Sequence, residues 1–396
     1  MPPATGVFKT ITKLRDSMRV LNVTGGISTN AVEQTLRRLD RYFKDYDLTC
    51  GIFESRNPEF DQGAATRNID TRYYGSNVTD RFKSVSLLPG EGYPRAAAHA
   101  IRGRGSFDLI HVYGGPLFHG PVGMMHAVAS NAPLITRFNG YVPLPETKTK
   151  RIIVKTIMRR LLNSSRVVFN SRAQRDDIIE TYGGGDHVNV IPPGVDSRFY
   201  KQVSDTSDLA AELGISDGTH VIGSVMTPRP VKGLDNAFDV LAALREQTDV
   251  TYIIVGDSDY VSQYRDMARE KGVADAVYWA GYRRQEDLAE WYSLFDVTIL
   301  TSEWESFGMS LTESYLCETP CIAFDVGGMS DQIVNESTGY LVEPYDTAAF
   351  AEMVGALLTD PQKRATFGER GRGYVAERFT LDRASALYGD MISSLA

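Results

Sequence analysis

The feature that most limits what this chain can fold into is an alternation that stops and then begins again. Short runs rich in β-branched and apolar residues, at 19–23, 48–53, 109–112, 134–136, 167–169 and 188–191, are separated by amphipathic stretches such as 29–42 and 171–182. Strand-length apolar runs alternating with helical ones point to βα units and a parallel sheet. The pattern breaks at Ile191, Pro192, Pro193, Gly194, Val195 and Asp196, because two prolines and a glycine continue neither a central strand nor a helix. It then resumes, with strands expected at 220–225, 251–255, 276–279, 297–300, 320–323 and 338–342. Helices fit 234–244, 262–271, 285–294, 309–317, 348–358 and the tail beyond 381. A chain of 396 residues exceeds one ordinary core. The expectation is an α/β protein of two doubly wound domains, 1–194 and 195–380, with a helix at 381–396 packing back on the first. Two such sheets facing each other across a cleft would offer ligands the carboxyl ends of their strands.

Charge separates the halves further. Residues 1–200 carry 27 Lys and Arg against 18 Asp and Glu, whereas residues 201–396 carry 15 against 32. The basic half suits anionic lipid or a phosphorylated acceptor. No aromatic-interleaved basic stripe or zinc pattern argues for nucleic acid. No apolar run approaches the roughly 20 residues that span a bilayer, and the first 20 residues lack the pattern of a secretory signal. Cys50, Cys317 and Cys321 are too few for a disulfide framework, which fits a reducing, cytoplasmic setting.

Four segments carry chemistry. After the strand ending at Leu300, a loop holds Glu305 and a helix opens near Gly308, with Glu313 on it. Backbone N–H groups at a helix start attract phosphate, and glycine lets a ligand come close. Two carboxylates eight residues apart could bracket such a ligand, or they could be ordinary charges, since the dipole favours Glu near a helix start anyway. The second segment is Thr227, Pro228, Arg229, Pro230, Val231, Lys232 and Gly233, a proline-stiffened basic loop between a strand and a helix. Its cations could neutralise a departing diphosphate or simply be solvated. It is not a P-loop, because the glycine spacing and the Lys-Ser/Thr pair are missing. Gly25 with Gly26, and Gly327 with Gly328, mark two further strand-to-helix turns. Asp257 and Asp259 have a metal-binding form, but a capping turn is equally expected after a strand, and no metal is assigned.

Taken in order, these residues resemble the retaining family-four glycosyltransferases of the GT-B fold. Glu305 to Glu313, then Pro320, Gly327, Gly328 and Gly339, carry the resemblance, with the Ile191–Asp196 linker, the turn at Gly256 and Asp257, and Trp279, Gly281 and Tyr282 in support. The likeness runs from about residue 18 and is densest over 188–345. It implies that Glu305 contacts the hydroxyls of the donor sugar and Glu313 the nucleotide ribose. Backbone N–H groups of Phe307, Gly308 and Met309 would meet sugar and phosphate, with Arg229 and Lys232 on the diphosphate. Gly25 and Gly26 would approach the donor phosphates or the acceptor, and Gly281 and Tyr282 would also line the donor. The implied donor is a UDP- or GDP-linked hexose, and no bound metal or other cofactor is needed. Three positions depart from the pattern. Thr227 stands where an arginine is usual, Asn139 where a histidine is usual, and Asp331 where a glutamate is common. Arg229 and Asn139, or Arg137, would have to serve instead.

On the acceptor side, Lys148, Lys150, Arg151, Lys155, Arg159 and Arg160 punctuate apolar residues over 148–162 at near-helical spacing. That suits an anionic membrane surface, or a domain helix with a solvated basic face. Residues 7–15 could add a second foot. The expected function is retaining transfer of a hexose to an acceptor hydroxyl, on a glycan or a lipid-linked precursor. A sugar-nucleotide epimerase or hydrolase, or a non-catalytic sugar-nucleotide binder, would fit the same motifs.

Overall fold

The computed structural model describes residues 18–24, 38–43, 47–52, 70–73, 100, 105, 107–114, 116–140, 142 and 144–395. Gly25, Gly26 and the segment 7–15 lie outside them. The chain divides into two compact units, Met1–Pro192 with Ala384–Ala396, and Pro193–Arg383. The first unit thus ends inside the proline pair.

The first unit holds a parallel sheet of β1 (Arg19–Thr24), β2 (Asp47–Ile52), β3 (Asp70–Tyr73), β4 (Leu109–Tyr113), β5 (Leu134–Arg137), β6 (Arg166–Phe169) and β7 (Val188–Val190). Their order is β3-β2-β1-β4-β5-β6-β7. β4 and β5 are buried along their whole length, as strands covered on both faces must be, which is why they read as continuous apolar runs. Leu21, Val23, Ile110, Val112, Leu134 and Phe169 form the centre of the core against Val154, Met158 and Leu161 from the helix Lys148–Ser164.

A polar network sits inside this unit. Arg137, fully buried at the end of β5, donates from Nε to Asn139 Oδ1 (3.1 Å), from one terminal nitrogen to the Tyr388 hydroxyl (3.2 Å), and from the other to Asn170 Oδ1 (2.7 Å) and the Ile191 carbonyl (3.0 Å). Tyr388 belongs to the helix Leu381–Ser393 and stacks on Tyr42, with ring centroids 4.2 Å apart. His111 lies 2.7 Å from Asn22 Oδ1 through Nδ1 and 3.4 Å from the Tyr388 hydroxyl through Nε2. These partners assign the proton to Nδ1, because Asn22 Oδ1 can only accept. Burial, and then the Arg137 charge, push the His111 pKa down to about 3.

The second unit repeats the design with β8 (His220–Val225), β9 (Val250–Val255), β10 (Val277–Gly281), β11 (Val297–Leu300), β12 (Cys321–Phe324) and β13 (Gly339–Val342), in the order β10-β9-β8-β11-β12-β13. All pairs are parallel. The order reverses between β8 and β11, and the crevice outside the carboxyl ends of such neighbours is where open α/β sheets bind ligands.

In this unit two helices depart from the sequence reading. The expected helix 285–294 opens as a 3₁₀ turn, Gln285–Asp287, before the helix Leu288–Leu294. Residues 361–378, for which no helix was expected, form the helix Pro361–Arg378, started by Pro361 and capped by Asp360 Oδ1 on the Lys363 N–H at 2.9 Å. The glycines that disguise this helix are packing devices. A Cβ at Gly368 would lie 1.9 Å from the Glu318 carbonyl, and one at Gly371 would lie 2.1 Å from the Tyr315 ring.

Candidate active site

The loops that follow β8 and β11 are built as one piece. Gly233 sits at φ +59°, and a Cβ there would lie 2.0 Å from the Thr301 carbonyl oxygen. The Thr301 hydroxyl donates to the Gly233 carbonyl (2.8 Å), and the Glu303 N–H donates to the Val231 carbonyl (2.9 Å). This splice brings Lys232 of one loop onto Glu305 of the other as an ion pair, with the two side chains 22% and 13% exposed. Ser302 Oγ adds a contact to Glu305 Oε1 at 3.4 Å.

The second glycine turn is the seat of Glu305. The Gly328 N–H donates to the Glu305 carbonyl at 3.0 Å. Gly327, at φ +51°, lies so close that a Cβ would be 1.9 Å from the same oxygen. Any side chain at Gly327 would therefore displace Glu305 and, with it, Lys232.

Beyond Glu305 the chain turns into the helix Met309–Leu316, with Gly308 as N-cap in the left-handed region, φ 83° and ψ 63°. Phe307 is buried, and its ring meets Phe379 edge-on with centroids 5.3 Å apart. Its side chain anchors the turn, while its backbone leads into the helix start. Glu313 lies one turn further along, almost wholly buried, and accepts from the Tyr292 hydroxyl at 2.8 Å. Burial first, and then the Glu313 charge, hold the Tyr292 phenol well above its usual range, so Tyr292 stays a donor at any working pH.

Among the described residues no side chain pairs with Arg229, which stays exposed in extended backbone beside the 3₁₀ turn Pro230–Lys232. The neighbouring loop supports it from below. Ser258 Oγ donates to the Pro228 carbonyl at 2.5 Å, and Asp257 Oδ1 caps the Ser258 N–H at 2.8 Å. The segment Asp257–Asp259 thus props the basic loop, and among the described residues no three His, Cys, Asp or Glu come together as a metal cluster. Gly281 closes β10 at φ +69° and accepts from the Gly256 N–H at 2.8 Å, with Tyr282 half exposed next to it. Gly281 and Tyr282 both lie at the carboxyl end of an edge strand, two places from β8. They share the carboxyl end of the sheet with Lys232 and Glu305, but no contact with that pair joins them.

In the first unit Asn139 follows β5, half-buried, with its carbonyl oxygen turned to Arg137. Arg137 itself spends its donors inside the protein, so of the two candidates only Asn139 is left at the surface. Sequence reasoning did not single out Tyr292, Gly327 as the seat of Glu305, or Gln332, whose side chain is wholly buried beneath the Phe307–Gly308 turn. A glutamine between Asp331 and Ile333, Val334 was the available signal.

Comparison with known proteins identifies the family and the fold. The glycosyl transferases group 1 family matches residues 205–374, and Glycosyltransferase Family 4 matches residues 32–199. A D-inositol 3-phosphate glycosyltransferase of Xylanimonas cellulosilytica is 28% identical over 332 residues, 77% of this chain and 77% of that one. The N-acetyl-alpha-D-glucosaminyl L-malate synthase of Bacillus anthracis is 31% identical over 194 residues, 49% of this chain and 50% of that enzyme. Anabaena HepE, solved in complex with UDP and glucose, shares the fold with a TM-score of 0.78 at 22% identity, covering 95% of this chain and 100% of that one. With one family match over each half, the chain belongs to the group 1, family-four glycosyltransferases and carries their GT-B fold.

Proposed function

We propose that the chain is a retaining hexosyltransferase that takes its sugar from a UDP- or GDP-linked donor. The observation that carries this is the Lys232–Glu305 pair, held by two spliced loops beside a glycine-led helix start at the carboxyl ends of β8 and β11. A cation, an anion and a helix N-terminus within one turn suit a ligand with diphosphate at one end and hydroxyls at the other. Glu305 accepts from the sugar hydroxyls, Lys232 and Arg229 take the diphosphate, and Glu313 takes the ribose. The acceptor oxygen bonds to the anomeric carbon on the face from which the diphosphate departs. The breaking C–O bond leaves its electron pair on the phosphate oxygen, and the acceptor's proton passes to that oxygen. Lys232 and the peptide N–H groups stabilise the charge as it develops. Asn139 takes the role toward the sugar that the family resemblance assigns to its position, and no metal takes part.

The acceptor is a hydroxyl on a glycan or lipid-linked precursor. The helix Lys148–Ser164 supports this, because Ile152 and Ile153 are 58% and 41% exposed amid Lys148, Lys155, Arg159 and Arg160 on its outer side. Such a face suits the inner, anionic leaflet of a membrane. No helix among the described residues is long and apolar enough to cross one. Vesicles rich in phosphatidylglycerol should sediment the protein at low salt and release it at about 0.5 M salt, where screening reaches within a few ångströms. No sedimentation at low salt would remove the membrane and leave a phosphorylated soluble acceptor, in keeping with the inositol phosphate named for the first relative.

Incubation with donor, acceptor extract and EDTA, read by proton NMR of the new anomeric centre, tests the reaction. The donor's own anomeric configuration in the product supports it. An inverted product, or a strict need for added metal, would sink the mechanism. Epimer or free sugar formed without acceptor would instead favour an epimerase or hydrolase, and tight binding without turnover a sugar-nucleotide binder.

A further inference from the structure

Gln332 is wholly buried and engages both its amide donors and its carbonyl oxygen. Its two Nε2 hydrogens go to the carbonyls of Phe307 and of Gly308 (3.1 Å), and its Oε1 accepts from the Thr312 hydroxyl at 2.5 Å. The backbone N–H of Gln332 is tied to the Met329 carbonyl at 2.9 Å, so the side chain is held from its base. Met329 closes the same space, because its Sδ would lie 2.9 Å from a Cβ at Gly308.

The consequence follows from peptide geometry. No peptide bond among the described residues is cis, and in a planar trans peptide the C=O and the following N–H point in opposite directions. Holding the Phe307 carbonyl against Gln332 therefore turns the Gly308 N–H away from it. Holding the Gly308 carbonyl does the same for the Met309 N–H. Gly308 in the left-handed region, followed by a right-handed helix, is the alternation that makes two successive N–H groups converge on an anion. Gln332 thus fixes the Phe307–Gly308 peptide plane and, with the Leu311 N–H that also donates to the Gly308 carbonyl at 3.0 Å, the Gly308–Met309 plane.

We propose that Gln332 is a positioning residue for the donor diphosphate: it holds the Phe307 and Gly308 carbonyls inward so that the next two N–H groups are fixed for a phosphate. This rests on the donor-binding reading above. Only a primary amide of this length meets the site. Leucine or methionine would strand the Phe307 carbonyl and the Thr312 hydroxyl, and would leave the Gly308 carbonyl only its bond from the Leu311 N–H at 3.0 Å. Glutamate would set a carboxylate against two carbonyl oxygens, and asparagine is one methylene too short.

The test uses the full chain with Gln332→Met and Gln332→Glu, and compares binding of UDP with binding of uridine by competition, or the guanosine pair if the wild type prefers it. The expected result is a loss of about tenfold or more for the diphosphate with both variants, the size of one or more lost charge-assisted bonds, with nucleoside binding changed less than twofold. A merely structural role would weaken both ligands together or neither, and either outcome overturns the inference. Should Gln332→Met fold poorly, Gln332→Glu keeps the shape and reads the same ratio. Absence of diphosphate binding in the wild type would count against the donor reading itself, not against the variant comparison alone.

Discussion

Glu305→Gln is expected to lower kcat/KM by about a thousandfold, the size of losing one well-placed electrostatic contact in a water-poor site. Two effects combine. The carboxylate that accepts from the sugar is gone, and Lys232 loses the partner that holds it in place. Stability should change far less. The pair is 22% and 13% exposed, between a surface bridge and a buried one, so breaking it costs about 1–2 kcal/mol. In a unit of this size that moves Tm by only a few degrees. Glu303, exposed two residues earlier, is the control, and Glu303→Gln should leave activity intact. If Glu305→Gln keeps more than a tenth of wild-type activity, the pair does not serve the donor.

The second large effect belongs to stability. Arg137→Met should destabilise the first unit by about 2–4 kcal/mol. Removing a buried charge that has no carboxylate partner among the described residues relieves a desolvation cost of several kcal/mol. Against that, Asn170 Oδ1, the Ile191 carbonyl and the Tyr388 hydroxyl lose their donor, at about 1–3 kcal/mol each. The guanidinium also loses its place 5.7 Å from the Tyr42 and Tyr388 ring centres, worth roughly 1 kcal/mol or more when desolvated. The lost bonds outweigh the relief. The same network gives a pH signature. His111 is held at about 3 in the folded chain, below its unfolded value of about 6.5. The unfolded state therefore binds the proton first, and this contribution is complete above about pH 6.5 and lost as pH falls toward 3. Between pH 6.5 and 5 the loss is about 2 kcal/mol, at about 1.4 kcal/mol per unit. Urea unfolding at pH 7, 6 and 5 on the wild type and His111→Gln checks it, and parallel slopes for the two would contradict the assignment.

The sheets were legible because buried parallel strands carry no face alternation and stand out as apolar runs. β3 was not, since Asp70, Thr71, Arg72 and Tyr73 have the composition of a loop, and it is the parallel register with β2 that makes them a strand. The helix Pro361–Arg378 hid for the opposite reason, because Gly368 and Gly371 read as breakers while serving close packing. In the site, the residues that meet across two loops, Lys232 and Glu305, could be found from motif order. What fixes them could not. Gly327 under Glu305, Gln332 under Gly308 and Tyr292 on Glu313 act through contacts between segments 20 or more residues apart, and no local spacing encodes such a contact. Arg137 shows the same limit. Its position in the sequence suggested a ligand contact, but burial makes it the centre of an internal network.

The turn from Glu305 to Glu313 is proposed to bind a nucleoside diphosphate. The most direct measurement is a thermal-shift series with UDP, GDP, ADP and their sugars, with and without magnesium, on the wild type and on Glu313→Ala. One diphosphate is expected to stabilise the wild type by several degrees at a hundredfold excess over Kd, equally without metal, and Glu313→Ala to abolish the shift. A wild type that no diphosphate stabilises, or a Glu313→Ala variant that responds as the wild type does, would contradict it.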